Sequence, residues 1–160
     1  MSINIKSAIK AGILAGIVFM MLEMVLAATV GGGSPWGPPR MIAAMALGKG
    51  VLPPPASFDL TILMVAMAVH FMFSIVLAIV FALIADAARW SLMTCAIAGL
   101  VFGIVLYLVN FYGMTAVFPW FAMARGMIAI FAHAMFGLVL GYAYRAMAPL
   151  VMDTAVEHSA

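Results

Sequence analysis

Three ionisable side chains stand inside long apolar runs of this chain: Glu23, His70 and His133. A titratable group in hydrocarbon is expensive, so each asks for a partner or a use. Two neutral imidazoles on different helices form the donor pair that holds a haem iron axially, with the porphyrin between the helices. Such a pair points to haem b. His70, His133 and Glu23 together also make a three-ligand set for a metal ion. Histidine titrates near neutral pH, so Glu23 with one or both imidazoles forms a proton relay as well. The structural alternative is one interhelical hydrogen bond per histidine, worth about 1 kcal/mol or less. Asn110, Arg40 and Arg125 lie nearer the ends of the runs and are secondary candidates, with either arginine placed to pair with Glu23.

The elements that must position these groups are helices. Of the 160 residues, 68% are hydrophobic and 8% charged, and mean hydropathy is +1.27, too apolar a composition for a soluble domain. The apolar residues gather in four runs, Ser7–Val30, Leu60–Ala85, Ser91–Phe111 and Trp120–Met147. Each reaches the roughly 20 residues a helix needs to cross a bilayer. Backbone in hydrocarbon must bond to itself, and the alternation of barrel strands is missing, so the expected fold is all-α with four transmembrane helices. At about 1.5 Å per residue, His70 lies about 15 Å from the start of its span, His133 about 20 Å, and Glu23 about 10 Å from the end of its own.

The chain reads as two halves with the same internal order. Ala15-Gly16-Ile17-Val18-Phe19 in the first span resembles Ala98-Gly99-Leu100-Val101-Phe102 in the third. Pro35-Trp36 with a following Arg40 resembles Pro119-Trp120 with a following Arg125, and His70 to Leu77 resembles His133 to Leu140. Repeat one covers about 7–86 and repeat two about 90–148 of a single membrane domain, 1–160, with 149–160 read as a disordered tail. Both halves run in one direction, which predicts parallel repeats about an axis along the membrane normal. The first half alone carries an insert with a short helical piece, Pro39–Leu47, expected at the membrane interface.

Small residues predict the packing faces. Gly12 and Gly16 in the first span, and Gly99 and Gly103 in the third, have the four-residue spacing that lets backbones approach closely. His70 belongs to the stripe Ala66, His70, Ser74, Ala78, Ala82, and His133 to Ala129, His133, Gly137, Gly141, Arg145. Residues four apart share a helix face, so both histidines should look into the bundle.

Other chemistry is sparse. Cys95 is the one cysteine, which excludes a disulfide framework. The 16 methionines are spread over all four spans and read as packing residues rather than copper ligands. Gly31-Gly32-Gly33 lacks the Lys-Ser/Thr of a phosphate loop. No nucleophile triad, paired carboxylates or basic nucleic-acid patch is present, so neither an enzyme nor a nucleic-acid partner is expected. Trp36, Trp90, Trp120, Tyr107 and Tyr112 sit near span ends, where aromatic anchors belong.

The stretches His70-Phe71-Met72-Phe73-Ser74-Ile75-Val76 with the later Asp86, the Ala98-Gly99 span, and Pro119-Trp120 leading to His133 resemble the YagU-like family of inner-membrane proteins. The resemblance covers roughly residues 65–145 and implies a bacterial inner membrane, without assigning catalytic residues. Lys6, Lys10, Arg89 and Arg145 fall on one side of the spans and Arg40, Lys49 and Arg125 on the other, which favours cytoplasmic termini. The expected setting is the lipid bilayer, with a second copy or a membrane-complex subunit as partner. Three functions stay open: an accessory or assembly protein with a polar His/Glu site, a small proton-linked transporter or channel, and a haem b redox subunit.

Overall fold

In the computed structural model, which describes residues 3–150, the chain is all-α, with no strand among the described residues. Four helices are long and apolar enough to cross a membrane. They are α1 (Ile5–Thr29), α3 (Leu60–Ala87), α4 (Leu92–Leu108, prolonged by irregular turns to Ala116) and α5 (Met127–Met147), and a shorter α2 (Gly37–Leu47) lies between α1 and α3. Starts are set by side-chain caps: Asn4 accepts from the Ser7 amide, Asp59 from Ile62 and Ser91 from Thr94. Two prolines occupy the first turn of α2, which begins at Gly37 rather than Pro39. The expected fourth span is too long at its start. Trp120 belongs to a separate 3-10 turn, Pro119–Ala124, and α5 begins only at Met127. His133 is therefore about 9 Å into α5, not about 20 Å. Most of the expected tail, 151–160, lies outside the described residues.

The small-residue stripes do what their spacing predicts. Ala66, His70, Ser74, Ala78 and Ala82 are all buried, and so are Ala129, His133, Gly137, Gly141 and Arg145. Gly12 and Gly16 of α1 face Ala78, Ser74 and His70 of α3. Gly99 and Gly103 of α4 face Gly141, Gly137 and His133 of α5 so closely that a Cβ on any of these four glycines would collide with a carbonyl of the opposite helix. When His70 is matched to His133, Gly12 corresponds by contact to Gly99 and Gly16 to Gly103. The matched peptides Ala15-Gly16 and Ala98-Gly99 are thus offset by one helical turn in their packing.

The end of the bundle holding the start of α1 and the end of α5 is tightly closed. Ala8, Ala11, Ala82, Ala85, Cys95, Leu140 and Tyr144 form its core. Phe81 of α3 meets Trp90 and Phe102, tying α3 to α4 near their short connection. Across this end Arg145 donates to Asp86 Oδ1 at 2.9 Å and to the Ala85 carbonyl at 3.1 Å, and the Tyr144 hydroxyl donates to Asp86 Oδ2 at 2.5 Å. This is the one ion pair among the described residues. Ser7 adds a bond from α1 to the Met147 carbonyl.

Candidate functional site

At the opposite end the helices enclose a cavity of about 790 Å³. Its walls come from the second half of α1, α2, the middle of α3, the end of α4 and the first half of α5. Most lining groups are apolar, among them Met41, Ile42, Met45, Phe73, Leu77, Leu106, Phe121 and Phe136. The polar ones are few, and they include Glu23, His70, Asn110, Arg125 and His133. Five of the six residues singled out by type and depth therefore line one space. Val109, Phe73 and Met127 are exposed and also line it, so the cavity opens to the outside of the protein.

The histidines are held separately. The His70 ring reaches from α3 to α1, where its Nε2–H donates to the Gly16 carbonyl at 2.9 Å. A glycine at 16 leaves room for this approach. The His133 Nδ1–H donates to the carbonyl of Ala129, one turn back, at 2.8 Å. A carbonyl can only accept, so neutral His133 keeps its lone pair on Nε2, which receives the Asn110 amide at 3.1 Å. Asn110 reaches this position because α4 widens into a π turn over Val109–Gly113. The Phe19 ring meets both imidazoles, nearly parallel to His70 at 5.4 Å and edge-on to His133 at 4.8 Å.

This geometry does not fit the haem expectation. Phe19 would have to leave for a porphyrin to lie between the rings, and both nitrogens of His133 already have partners. Nor does it fit a three-ligand metal set, because no group of three His, Cys, Asp or Glu side chains converges among the described residues. The expected pairing of Glu23 with an arginine is also corrected. Arg40 turns away from the cavity and donates to the carbonyls of Val51 and Ser57, pinning the loop after α2. Arg125 donates through Nε to the Phe111 carbonyl at 2.7 Å and lies over the Tyr112 ring at 4.4 Å. Glu23 Oε1 is left buried with no hydrogen-bond partner.

Sequence reasoning missed three contributors to the site and one pair that closes the opposite end. Phe19 enters the sequence reading only through its repeat peptide, although it lies four residues before Glu23 and so shares its face. Tyr107 and Trp120 read as interface anchors but are buried, and Trp120 Nε1 donates to the Met41 carbonyl, fastening α2 over the cavity. Asp86 and Arg145 lie 59 positions apart and meet only through the fold. No protein-family model matches this chain, and no curated protein or solved structure matches it either, so the site is read from its own geometry.

Proposed function

We propose that this chain is a small multi-pass protein of the bacterial inner membrane that binds a small, largely apolar molecule in the cavity. One observation carries the reading: a cavity of about 790 Å³ has apolar walls and is lined by the few polar groups Glu23, His70, Asn110 and His133. Ligand sites are typically about 300–1,000 Å³, mostly apolar, with a few convergent polar groups that orient the guest. The placing of Lys6, Lys10 and Arg89 supports cytoplasmic termini, with the cavity at the other face. The resemblance to the YagU-like family supports the bacterial membrane. The matched contacts of the two glycine pairs support an origin by duplication of a helix pair. In this reading the protein is a binding or accessory subunit rather than an enzyme.

A second reading, transport, is favoured by a separate observation. The cavity lies at one end while the other is sealed by Asp86, Arg145 and Tyr144, as alternating access requires of one of its states.

Ala27 is half-buried, lines the cavity and lies one turn beyond Glu23. Ala27→Trp should therefore obstruct the space beside Glu23 without touching the closed end. The wild type purified from native membranes should carry a small molecule, identified by mass spectrometry, that is about tenfold depleted in Ala27→Trp at an unchanged unfolding midpoint. A wild type that carries nothing beyond bulk lipid, or a variant that keeps the molecule, contradicts the binding reading.

A further inference from the structure

Among the polar groups that line the cavity one buried atom, an acceptor on Glu23, has no partner, and this names the class of guest; the proposal rests on the binding reading above. Glu23 is the one carboxyl among the lining residues, and its buried Oε1 has no donor. A desolvated acceptor of this kind loses the hydrogen bonds it had in water and gains them back only from a donor brought in. The protein does not bring one. Arg125, the cation of the lining, is anchored by its Nε–H on the Phe111 carbonyl and by the Tyr112 ring, and none of its other N–H groups reaches Glu23. His70 gives its Nε2 proton to the Gly16 carbonyl, and His133 gives its Nδ1 proton to Ala129. The Asn110 amide nitrogen serves His133, which leaves the Asn110 carbonyl oxygen as a further acceptor. The same cavity is lined by the rings of Phe19, Phe73, Phe121 and Phe136, and aromatic faces attract a cation. The remaining walls, rich in methionine, adapt to an irregular apolar body.

We propose that the guest is an amphiphilic amine: an alkyl or aryl body with one protonated nitrogen that donates to Glu23. The body occupies the apolar walls, and the ammonium replaces the missing partner of Oε1. A carboxylate or sulfate headgroup of the same size would meet Glu23 as a like charge.

The test uses octylamine, 1-octanol and octanoate, which share a chain and differ in the headgroup. Each is titrated at pH 7 by calorimetry into the full chain in nanodiscs, with empty nanodiscs subtracted. Octylamine should bind about tenfold or more tighter than octanol, and octanoate weakest. Glu23→Gln, which keeps the shape of the side chain, should reduce octylamine affinity about tenfold and leave octanol nearly unchanged. Ala27→Trp should abolish octylamine binding. If octanol or octanoate binds as well as octylamine, or if Glu23→Gln binds octylamine like the wild type, the amine assignment falls while the pocket stands. If none of the three binds the wild type, the pocket reading itself fails and takes this one with it. Should Glu23→Gln not fold, the order of the three headgroups on the wild type decides alone.

Discussion

Gly137→Leu separates α4 from α5 and costs about 3 kcal/mol or more, enough to remove the folded state in mild denaturant. A Cβ at 137 would run into the Gly99 carbonyl and the Gly103 amide, which are backbone atoms that no rotamer change can move aside. The two helices would have to part along the contact that Gly99, Gly103, Gly137 and Gly141 make together. In a bilayer nothing else compensates, because lipid tails are as apolar as the side chains and close packing is what drives helix association. Gly50→Leu is the control, since a Cβ there meets nothing within 4 Å. Reversible unfolding in mixed micelles, followed by circular dichroism, should show a large loss for the first and almost none for the second. Equal behaviour of the two variants would mean that the α4–α5 interface is not packed through its glycines.

Arg145→Ala should cost about 3 kcal/mol by leaving the Asp86 carboxylate without its countercharge and the Ala148 carbonyl without its Arg145 donor, while Asp86 keeps the Tyr144 hydroxyl and the Ala85 carbonyl keeps the Trp90 amide. The guanidinium is 4% exposed and bonds to Asp86, to the Ala85 carbonyl and to the Ala148 carbonyl, so its loss is not made good by water. Asp86, at 19%, keeps some solvent, which holds the cost at the lower part of the range for buried pairs. The double variant Asp86→Ala with Arg145→Ala should be less harmful than the sum of the single ones, because it leaves neither charge alone. Unfolding of the four proteins in the same micelles gives the coupling. Strict additivity would mean that the pair does not hold α3 to α5.

The parts of the fold legible in the sequence are those fixed by local composition. Long apolar runs must be helices in lipid, so four spans follow from length alone. The stripes through His70 and His133 follow from four-residue spacing, and their burial matches the expectation residue by residue. The site was legible to the extent that a titratable group in hydrocarbon is rare enough to notice, which picked out Glu23, His70 and His133. What the sequence does not carry is the rotation and separation of helices that are distant along the chain. Phe19 meets both imidazoles because α1 packs between α3 and α5, and nothing in its neighbours announces this. Asn110 reaches His133 through a π turn, a change in helical pitch without a clear local signature. Arg40 looked like a partner for Glu23 because both lie toward the same end of the spans, but the loop carbonyls of Val51 and Ser57 take its donors instead. Trp120 sits where an interface anchor belongs, and only the folded chain reveals that α2 covers it.

On the binding reading, Glu23 lines a space that a small apolar molecule can enter. The most direct measurement is reaction of the full chain in nanodiscs with a hydrophobic carbodiimide, with the modified carboxyl located by peptide mass spectrometry. The reagent should modify Glu23 and spare Asp86, which is tied to Arg145 and Tyr144. Ala27→Trp should protect Glu23. A Glu23 that stays unmodified while Asp86 reacts, or that reacts equally in Ala27→Trp, would contradict the account.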